Sequence, residues 1–570
     1  MRDDTNNEET KGQMNTLKSS FWKSRQQATN HGSSHRNVKD HINMNKVSRL
    51  LNCTLAMLVV LGLVGANRAM ADDASDKAAA IKAKAAAKLA AINEYLAKHA
   101  GSATVLSSNS ATLPTGGTWT PLTNMAPAQI SLSLLLSDGT VMCQPPNNNG
   151  SPNWYRLTPD ATGSYINGTW TMLASMHYGR NFYQSQVLRD GRVFVSGAEN
   201  GSGTTAESYD PTTNFWTLLP PITTVDPGAN MVDGAAKTLP NGNVLAYPVI
   251  SSSSETLIFD IVSNTWSLGP TIFGDMDETA WLKLRDRSIL ALDINTSTNS
   301  ERYIPSSNQW IADSPIPASM FSVLGELGGA YLLPNGKAFY MGGTGHTAIY
   351  TPTGTTAPGT WVVGPDIPGG HGVQDGGSAM LVNGKILLTA GTTFDFSPPT
   401  YFYEYDYVAN TFTQVNTPTG QTSDVPSFAL DMLNLPDGSV LSSNYTQQLY
   451  VYKPAGKPLL AGKPKIRSVS RNLDGSYHVT GTLFNGISEG SNYGDEFQNA
   501  TNYPIARLSN AAGNVYYART YNWSSTDVQT GNKSVSTELT LPVGLPNGTY
   551  SLSISANGNS SEDGEWFIHH

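Results

Sequence analysis

Seven short turn pairs alternate with seven bulky aromatics through the middle of the chain, at a spacing of about fifty residues. The second residues of the turns are Gly139, Gly191, Gly242, Arg287, Gly336, Gly384 and Gly438; the aromatics are Trp119, Trp170, Trp216, Trp266, Trp310, Trp361 and Phe412. Most turns read Asp-Gly or Asn-Gly between apolar runs, as in LLLSDGTVM at 134–142 and VLRDGRVFV at 187–195. Such a pair between β-rich runs marks a tight hairpin. A third strand ends near Tyr or Phe, as in Tyr209-Asp210, Phe259-Asp260 and Tyr405-Asp406. Each unit therefore reads as four strands, and units of that length are propeller blades of the kelch type. Trp119 precedes the first turn, and no aromatic of this kind follows the seventh before the pattern changes. The strand around Trp119 is thus expected to complete the last blade, near 428–453, closing the ring and leaving no open sheet edge.

The remaining segments are simpler. An apolar run from Leu55 to Ala66 follows Lys46 and Arg49 and leads to Ala69-Met70-Ala71. This has the form of a signal peptide with a cleavage site, so residues 1–71 form a signal peptide region and export is expected, to the periplasm, the cell surface or the medium. Translation starting at Met44 would account for the polar stretch ahead of the run; an uncleaved anchor is the other reading. Residues 72–117 comprise an Ala/Lys-rich amphipathic helix, with Ile81, Leu89, Ile92 and Leu96 near helical spacing and Gly101 as its cap, then a Ser/Thr/Gly linker. The helix reads as a spacer or, alternatively, as a docking or surface-anchoring element. The propeller spans 118–455. Residues 461–570 hold alternating strands such as those beginning at Tyr477, Asn514 and Tyr550, the pattern of an Ig-like β-sandwich. The fold class expected is all-β.

Composition narrows the function. The net charge of −9 argues against nucleic acid as a partner. Of two cysteines, Cys53 falls in the signal region, which leaves Cys143 as a single thiol expected to be buried. No P-loop, zincin or nucleophile-elbow motif is present; Gly342 and Gly343 read as a glycine pair packing a strand end. No membrane span is expected in the mature chain.

Counting back nine or ten residues from each turn gives the position that faces the channel mouth. Four consecutive blades place a carboxylate there: Asp233, Glu278, Glu326 and Asp375. Asp275, Asp277, His346 and His371 lie in or near the connecting segments. Converging carboxylates repel, so they require a cation, a proton or a polar ligand. Oxygen donors alone suit Ca²⁺ or Mg²⁺, and His371 beside Asp233, Glu278 and Asp375 would suit a transition metal. Carboxylates hydrogen-bonded to neighbouring backbone are the plainer alternative. His177, Tyr178 and Arg180, just before the inner strand of blade 2, form a candidate sugar-contacting edge.

Several motifs carry a resemblance: RNFYQS at 180–185, DGRVFV at 190–195, SNYGDEFQNATNYP at 491–504 and YNWSST at 521–526. With a signal peptide, seven blades and a C-terminal sandwich, the chain resembles the galactose oxidase and glyoxal oxidase group of copper radical oxidases, over residues 118–570. The resemblance implies a copper held by two tyrosines and two histidines, one tyrosine being crosslinked to a cysteine. The cysteine position falls near Ile130, the crosslinked tyrosine at Phe182, and the Tyr-His pair at Phe428-Ala429. The histidines of the last domain, His478, His569 and His570, lie outside the family motif. A slip of one residue would bring Tyr183 into blade 2's position but supplies no cysteine. The expectation is a scaffold without the copper-radical ligands. No cofactor is expected, a divalent cation is admissible, and copper is not expected. A glycan or another surface ligand would bind at one propeller face. The alternatives are a carbohydrate-active oxidase or lyase with a divergent metal site, and a purely structural surface protein; catalysis is not the favoured role.

Overall fold

The computed structural model describes residues 74–99, 113, 116–251, 254–294, 298–491, 500–562 and 565–569. The signal peptide region, most of the linker and residues 492–499 of the tail motif lie outside the described residues, as does His570.

Seven four-stranded antiparallel sheets follow one another along the chain. Blade 1 spans 132–172, blade 2 184–219, blade 3 236–271, blade 4 282–312, blade 5 327–363 and blade 6 378–415. Blade 7 consists of Asp431–Asn434, Val440–Ser443 and Tyr450–Lys453 with Thr118–Pro121 as its outer strand. Trp119 faces Tyr452 in that pairing, so the ring closes as expected from the order of turns and aromatics.

Turn chemistry sets each hairpin. In blade 1, Asp138 Oδ1 accepts from the Thr140 amide at 3.0 Å, and Gly139 follows at φ 75°. A Cβ on Gly139 would also fall 2.4 Å from the Tyr517 ring, so glycine is required for space as well as for backbone. Arg287, in the same position of blade 4, keeps φ 75° without a glycine.

The recurring tryptophan staples each blade to its predecessor. Trp216 Nε1 donates to Ala174 O at 3.0 Å, Trp266 Nε1 to Pro220 O at 2.9 Å, and Trp119 Nε1 to Asn416 O at 2.8 Å. Each of these three indoles packs between two sheets while its N–H finds a carbonyl; Trp361 Nε1 donates instead to Ser300 Oγ at 3.2 Å, and Trp310 Nε1 is buried with no hydrogen-bond acceptor among the described residues. The aromatic of the repeat is thus an inter-blade residue, which is why its spacing equals the blade length.

Eight strands between Lys465 and His569 form a second sheet system, in the order 465–471, 477–482, 535–540, 515–521, 505–509, 548–556 and 559–560, with Glu565–His569 also pairing to Gly548–Ala556. Its core holds Val479, Ala506, Leu508, Ala518 and Leu552. One strand of this half, Glu489–Ser491, adds to the inner strand of blade 5, Leu327–Leu332. Glu489 there meets Lys237 Nζ at 3.1 Å and Lys283 Nζ at 3.8 Å, all three buried.

Helix α1, Ala74–His99, corrects the spacer reading. Its docked stripe is Lys77, Ile81, Lys84, Lys88, Ile92 and Tyr95, residues three and four apart on one face. Ile81 joins the apolar cluster of Val232, Ala235 and Met276 beside blades 3 and 4. Ile92 and Tyr95 join Phe396, Phe428 and Tyr445 beside blades 6 and 7. The helix therefore lies across the ring, with lysines between its two apolar anchors. Among the described residues, no helix is long and apolar enough to cross a membrane.

Candidate functional site: the carboxylate mouth

The four predicted mouth residues do converge. Asp233, Glu278 and Asp375 precede the inner strands of blades 3, 4 and 6 in left-handed conformation, at φ 37°, 56° and 51°. Phe182 holds the same place in blade 2 at φ 49°. In blade 5 the left-handed residue is Gly325, at φ 84°, and Glu326 follows it. Non-glycine residues in this region cost about 1–3 kcal/mol each and persist only where the surroundings hold them. Here the loops hold one another: the Glu278 amide donates to Asp233 O, and the Asp375 amide to Leu327 O, each at 3.3 Å.

Asp233, Glu278, Glu326 and Asp375 are all buried. Oxygens of Glu278, Glu326 and Asp375 lie within 4.8 Å of one another. Two ammonium groups of α1 enter this cluster. Lys88 Nζ is 2.7 Å from Asp375 Oδ2, 3.6 Å from Glu326 Oε1 and 3.8 Å from Glu278 Oε1. Lys84 contacts Glu278 directly and lies 3.8 Å from Glu326 and 3.9 Å from Asp233. Further along, Lys77 Nζ reaches Asp275 Oδ2 at 2.7 Å, and Tyr247 donates to the other oxygen of Asp275 at 2.7 Å. Lys88 Nζ also stands 5.3 Å above the Phe182 ring.

The electrostatics follow from burial and crowding. Burial by itself would push both lysines down; Glu278, Glu326, Asp277 and Asp233 around Lys84, and Asp375, Glu278, Glu326 and Asp233 around Lys88, more than reverse this and hold both ammoniums well above their ordinary value. Burial pushes Glu278 well up, helped by Asp233 and Glu326, and pushes Asp375 up, helped by Glu326. Glu199 is raised by burial and by its neighbour Asp233. Burial raises Asp277 to about 7 against the pull of Lys84 and Lys77. Burial would raise Glu326 too, but Lys84 and Lys88 hold it below the usual carboxylate range. The mouth therefore balances its charge with two lysines and with protons kept on crowded carboxyls.

Other expected site residues lie elsewhere. His371, expected beside the carboxylates as a metal donor, does not join them: it stacks on Tyr401 at 3.9 Å, its Nδ1 is 2.8 Å from the Tyr403 hydroxyl, and burial lowers its pKa. Asp233 also stands outside the trio whose oxygens could share one ion. The edge expected from His177, Tyr178 and Arg180 does not form as one surface. Tyr178 is 43% exposed, and His177 Nδ1 meets Glu207 at 2.8 Å. Arg180 is fully buried, donating to Gly197 O and Thr205 O at 2.8 Å and pairing with Glu207 at 3.1 Å. It ties blade 2 together. Tyr183 is likewise buried, donating to Gln144 Oε1 at 2.7 Å. Cys143 is buried as expected, on the second strand of blade 1.

Sequence reasoning missed Lys77, Lys84, Lys88 and Glu199. The lysine spacing of seven and four residues was the available signal, since it places all three on the face that carries Ile81 and Ile92.

The fold defines a seven-bladed β-propeller with an acidic mouth. A fungal alcohol oxidase of the AA5 family, solved in complex with copper, matches over 79% of this chain and 99% of its own, at 14% identity and a TM-score of 0.50. A catalytically inactive virginiamycin B lyase variant from Staphylococcus aureus, with quinupristin, matches over 59% of this chain and 99% of its own, at 10% identity and a TM-score of 0.42. No family model matches the chain, and no curated protein matches it. The likeness to the alcohol oxidase is one of fold. The positions that the sequence resemblance assigned to copper ligands carry Phe182, Phe428 and Ala429, whose side chains offer neither imidazole nor phenolate.

Proposed function

We propose that this chain is an exported, galactose-oxidase-like kelch propeller with an Ig-like C-terminal half, and that it binds a ligand at the acidic mouth instead of running copper-radical chemistry. One observation carries the reading. The positions that the resemblance assigns to copper ligands carry Phe182, Phe428 and Ala429, while blades 3 to 6 bring four carboxylates, Asp233, Glu278, Glu326 and Asp375, to one mouth. Burying such a cluster requires cationic or hydrogen-bonding partners; Lys84 and Lys88 are such partners, and a ligand of the mouth would share or compete for the same oxygens. A groove of about 410 Å³ runs from Phe182 along α1, lined by Asn93, Asn147, Asn149, Asn181 and Asn200. Amide-rich walls suit a hydroxylated ligand such as a glycan.

The test is metal content and turnover together. The full chain is reconstituted with copper, analysed for elements, and assayed for peroxide with galactose, glycerol and glyoxal. No stoichiometric copper and no peroxide are expected. One copper per chain with peroxide release would overturn the binding reading in favour of an oxidase with a rebuilt site.

A further inference from the structure

Three departures from the repeat meet at one open cleft, at the end of the inner strands opposite to the mouth. There six blades turn through glycine, at φ between 75° and 92°, and blade 4 turns through Arg287 at φ 75°. The backbone disfavours a side chain in that region, so it persists only where its surroundings hold it. In blades 2, 3 and 6 the third strand ends in an aspartate that caps its own turn, Asp210, Asp260 or Asp406; blade 4 has Ile304 in that place. Blade 5 joins its last two strands through 352–359, a loop twice as long as 211–214 in blade 2. Arg287, Ile304 and Thr355 of that loop all line one cleft of about 580 Å³ between the turns of blades 3, 4 and 5. Its volume lies within the ~300–1,000 Å³ of small-ligand sites. We propose that this cleft is a second binding site, for a carboxylate-bearing sugar of the hexuronate oligosaccharide class, with Arg287 as its anion contact. It goes beyond the reading of the mouth and does not rest on it.

The cleft is built from inside. Arg302, fully buried on the third strand of blade 4, donates to Thr355 O at 3.1 Å and to Ala357 O at 2.7 Å, which fixes the long loop as a wall. The one acidic residue of the lining, Asp286, is neutralised by the same Arg302 at 3.3 Å and accepts from the Ser288 hydroxyl at 2.6 Å. The charge left to the cleft is the Arg287 guanidinium. Its Nη2 lies 2.9 Å from Asp527 Oδ2, yet 47% of the side chain is exposed. Asp527 has a second cation, Lys533 Nζ at 3.3 Å, so Arg287 can take another carboxylate without stranding it. A planar guanidinium matches a carboxylate in two parallel hydrogen bonds. Around it, the exposed Asn241, Ser306, Asn308 and Thr356 offer amides and hydroxyls suited to sugar hydroxyls, and Ile258 and Pro305 give an apolar strip for a ring's C–H face. The walls are turns, not an open strand edge, so an extended peptide finds no ladder to join.

The test is titration calorimetry of the full chain with trigalacturonate, beside neutral galactotriose and triglutamate as probes. Trigalacturonate is expected to bind, and each of the other two to bind about tenfold more weakly or less. Arg287→Gly restores the turn residue of the other six blades, so it should fold normally while weakening trigalacturonate by about tenfold or more. Ser306→Trp, at an exposed position, should fill the cleft and abolish binding with the melting temperature unchanged; it serves also if Arg287→Gly does not fold. Lys533→Gln, outside the cleft, should leave the affinity as it is. No heat with trigalacturonate overturns the proposal. So does native affinity in Arg287→Gly or Ser306→Trp, which would move binding out of the cleft. Equal affinity for galactotriose overturns the carboxylate, and equal affinity for triglutamate overturns the sugar in favour of an acidic peptide. An equal loss in Lys533→Gln and Arg287→Gly overturns the site as diffuse attraction to a basic surface. None of these outcomes bears on the copper and peroxide result, so failure here is distinguishable from failure of the reading of the mouth.

Discussion

Lys88 Nζ of α1 lies 2.7 Å from Asp375 Oδ2 of blade 6, and both side chains are completely buried. Lys88 also lies 3.6 Å from Glu326 and 3.8 Å from Glu278, so it is the ammonium shared by the three carboxyls. Lys88→Met is therefore expected to destabilise the protein by about 3–5 kcal/mol at neutral pH, because it strands charge among Asp375, Glu326 and Glu278. Urea unfolding of the full chain measures the loss. It should shrink at pH 5, where the carboxyls take up protons, and in the double variant with Asp375→Asn. An equal loss at both pH values would mean that packing, not charge, is what Lys88 supplies.

Asp431, on the inner strand of blade 7, makes a pH prediction. Burial raises its carboxyl from 3.8 to about 8, and neither of its oxygens has a hydrogen-bond partner among the described residues. The folded state thus holds a proton that the unfolded state releases. The stability this group contributes is complete below about pH 4 and is lost as pH rises to about 8, by up to about 1.4 kcal/mol per unit. Asp431→Asn should abolish that slope. Unfolding curves at pH 4.5, 6 and 7.5 are the check, and an unchanged slope in the variant would refute the assignment.

Cys143 is expected to be inert. Burial raises its thiol to about 12, despite a contact with Ser133 Oγ at 3.6 Å. The thiolate is the reactive form, so a disulfide reagent at pH 8 should label the native protein negligibly and the unfolded chain at once. Rapid labelling of the folded protein would show that blade 1 opens.

Arg180 separates a structural role from a binding one. Its guanidinium serves Gly197 O, Thr205 O and Glu207, all inside blade 2. Arg180→Ala should cost about 3–5 kcal/mol by removing the buried guanidinium paired with Glu207, which keeps only its contacts with His177 and Tyr178. Ligand affinity of the folded fraction should not change. A variant that keeps its melting temperature but loses binding would restore Arg180 to the surface edge expected from sequence.

Much of this fold was legible before any coordinates. Turn pairs and repeat aromatics are local signals: a left-handed turn favours Gly or Asn, and an inter-blade contact favours a flat aromatic ring, whatever lies elsewhere. Ring closure followed from the order of Trp119 and Gly139. The mouth carboxylates were legible because each sits at a near-fixed offset from its turn. His371 and Arg180 were misplaced because a side chain's direction out of a loop is not encoded by its spacing.

By itself, then, the sequence determined the blades, their number, their closure and the register that brings Asp233, Glu278, Glu326 and Asp375 to one end of the ring. What meets them was decided only by tertiary structure. Helical spacing puts Lys84 and Lys88 on the face of Ile81 and Ile92 and the exposed Lys82 on another, but an alanine-rich segment by itself does not say what that face meets. Their burial is favourable only where carboxylates from four different blades, far apart in sequence, have been gathered into one cavity too crowded to stay uncompensated.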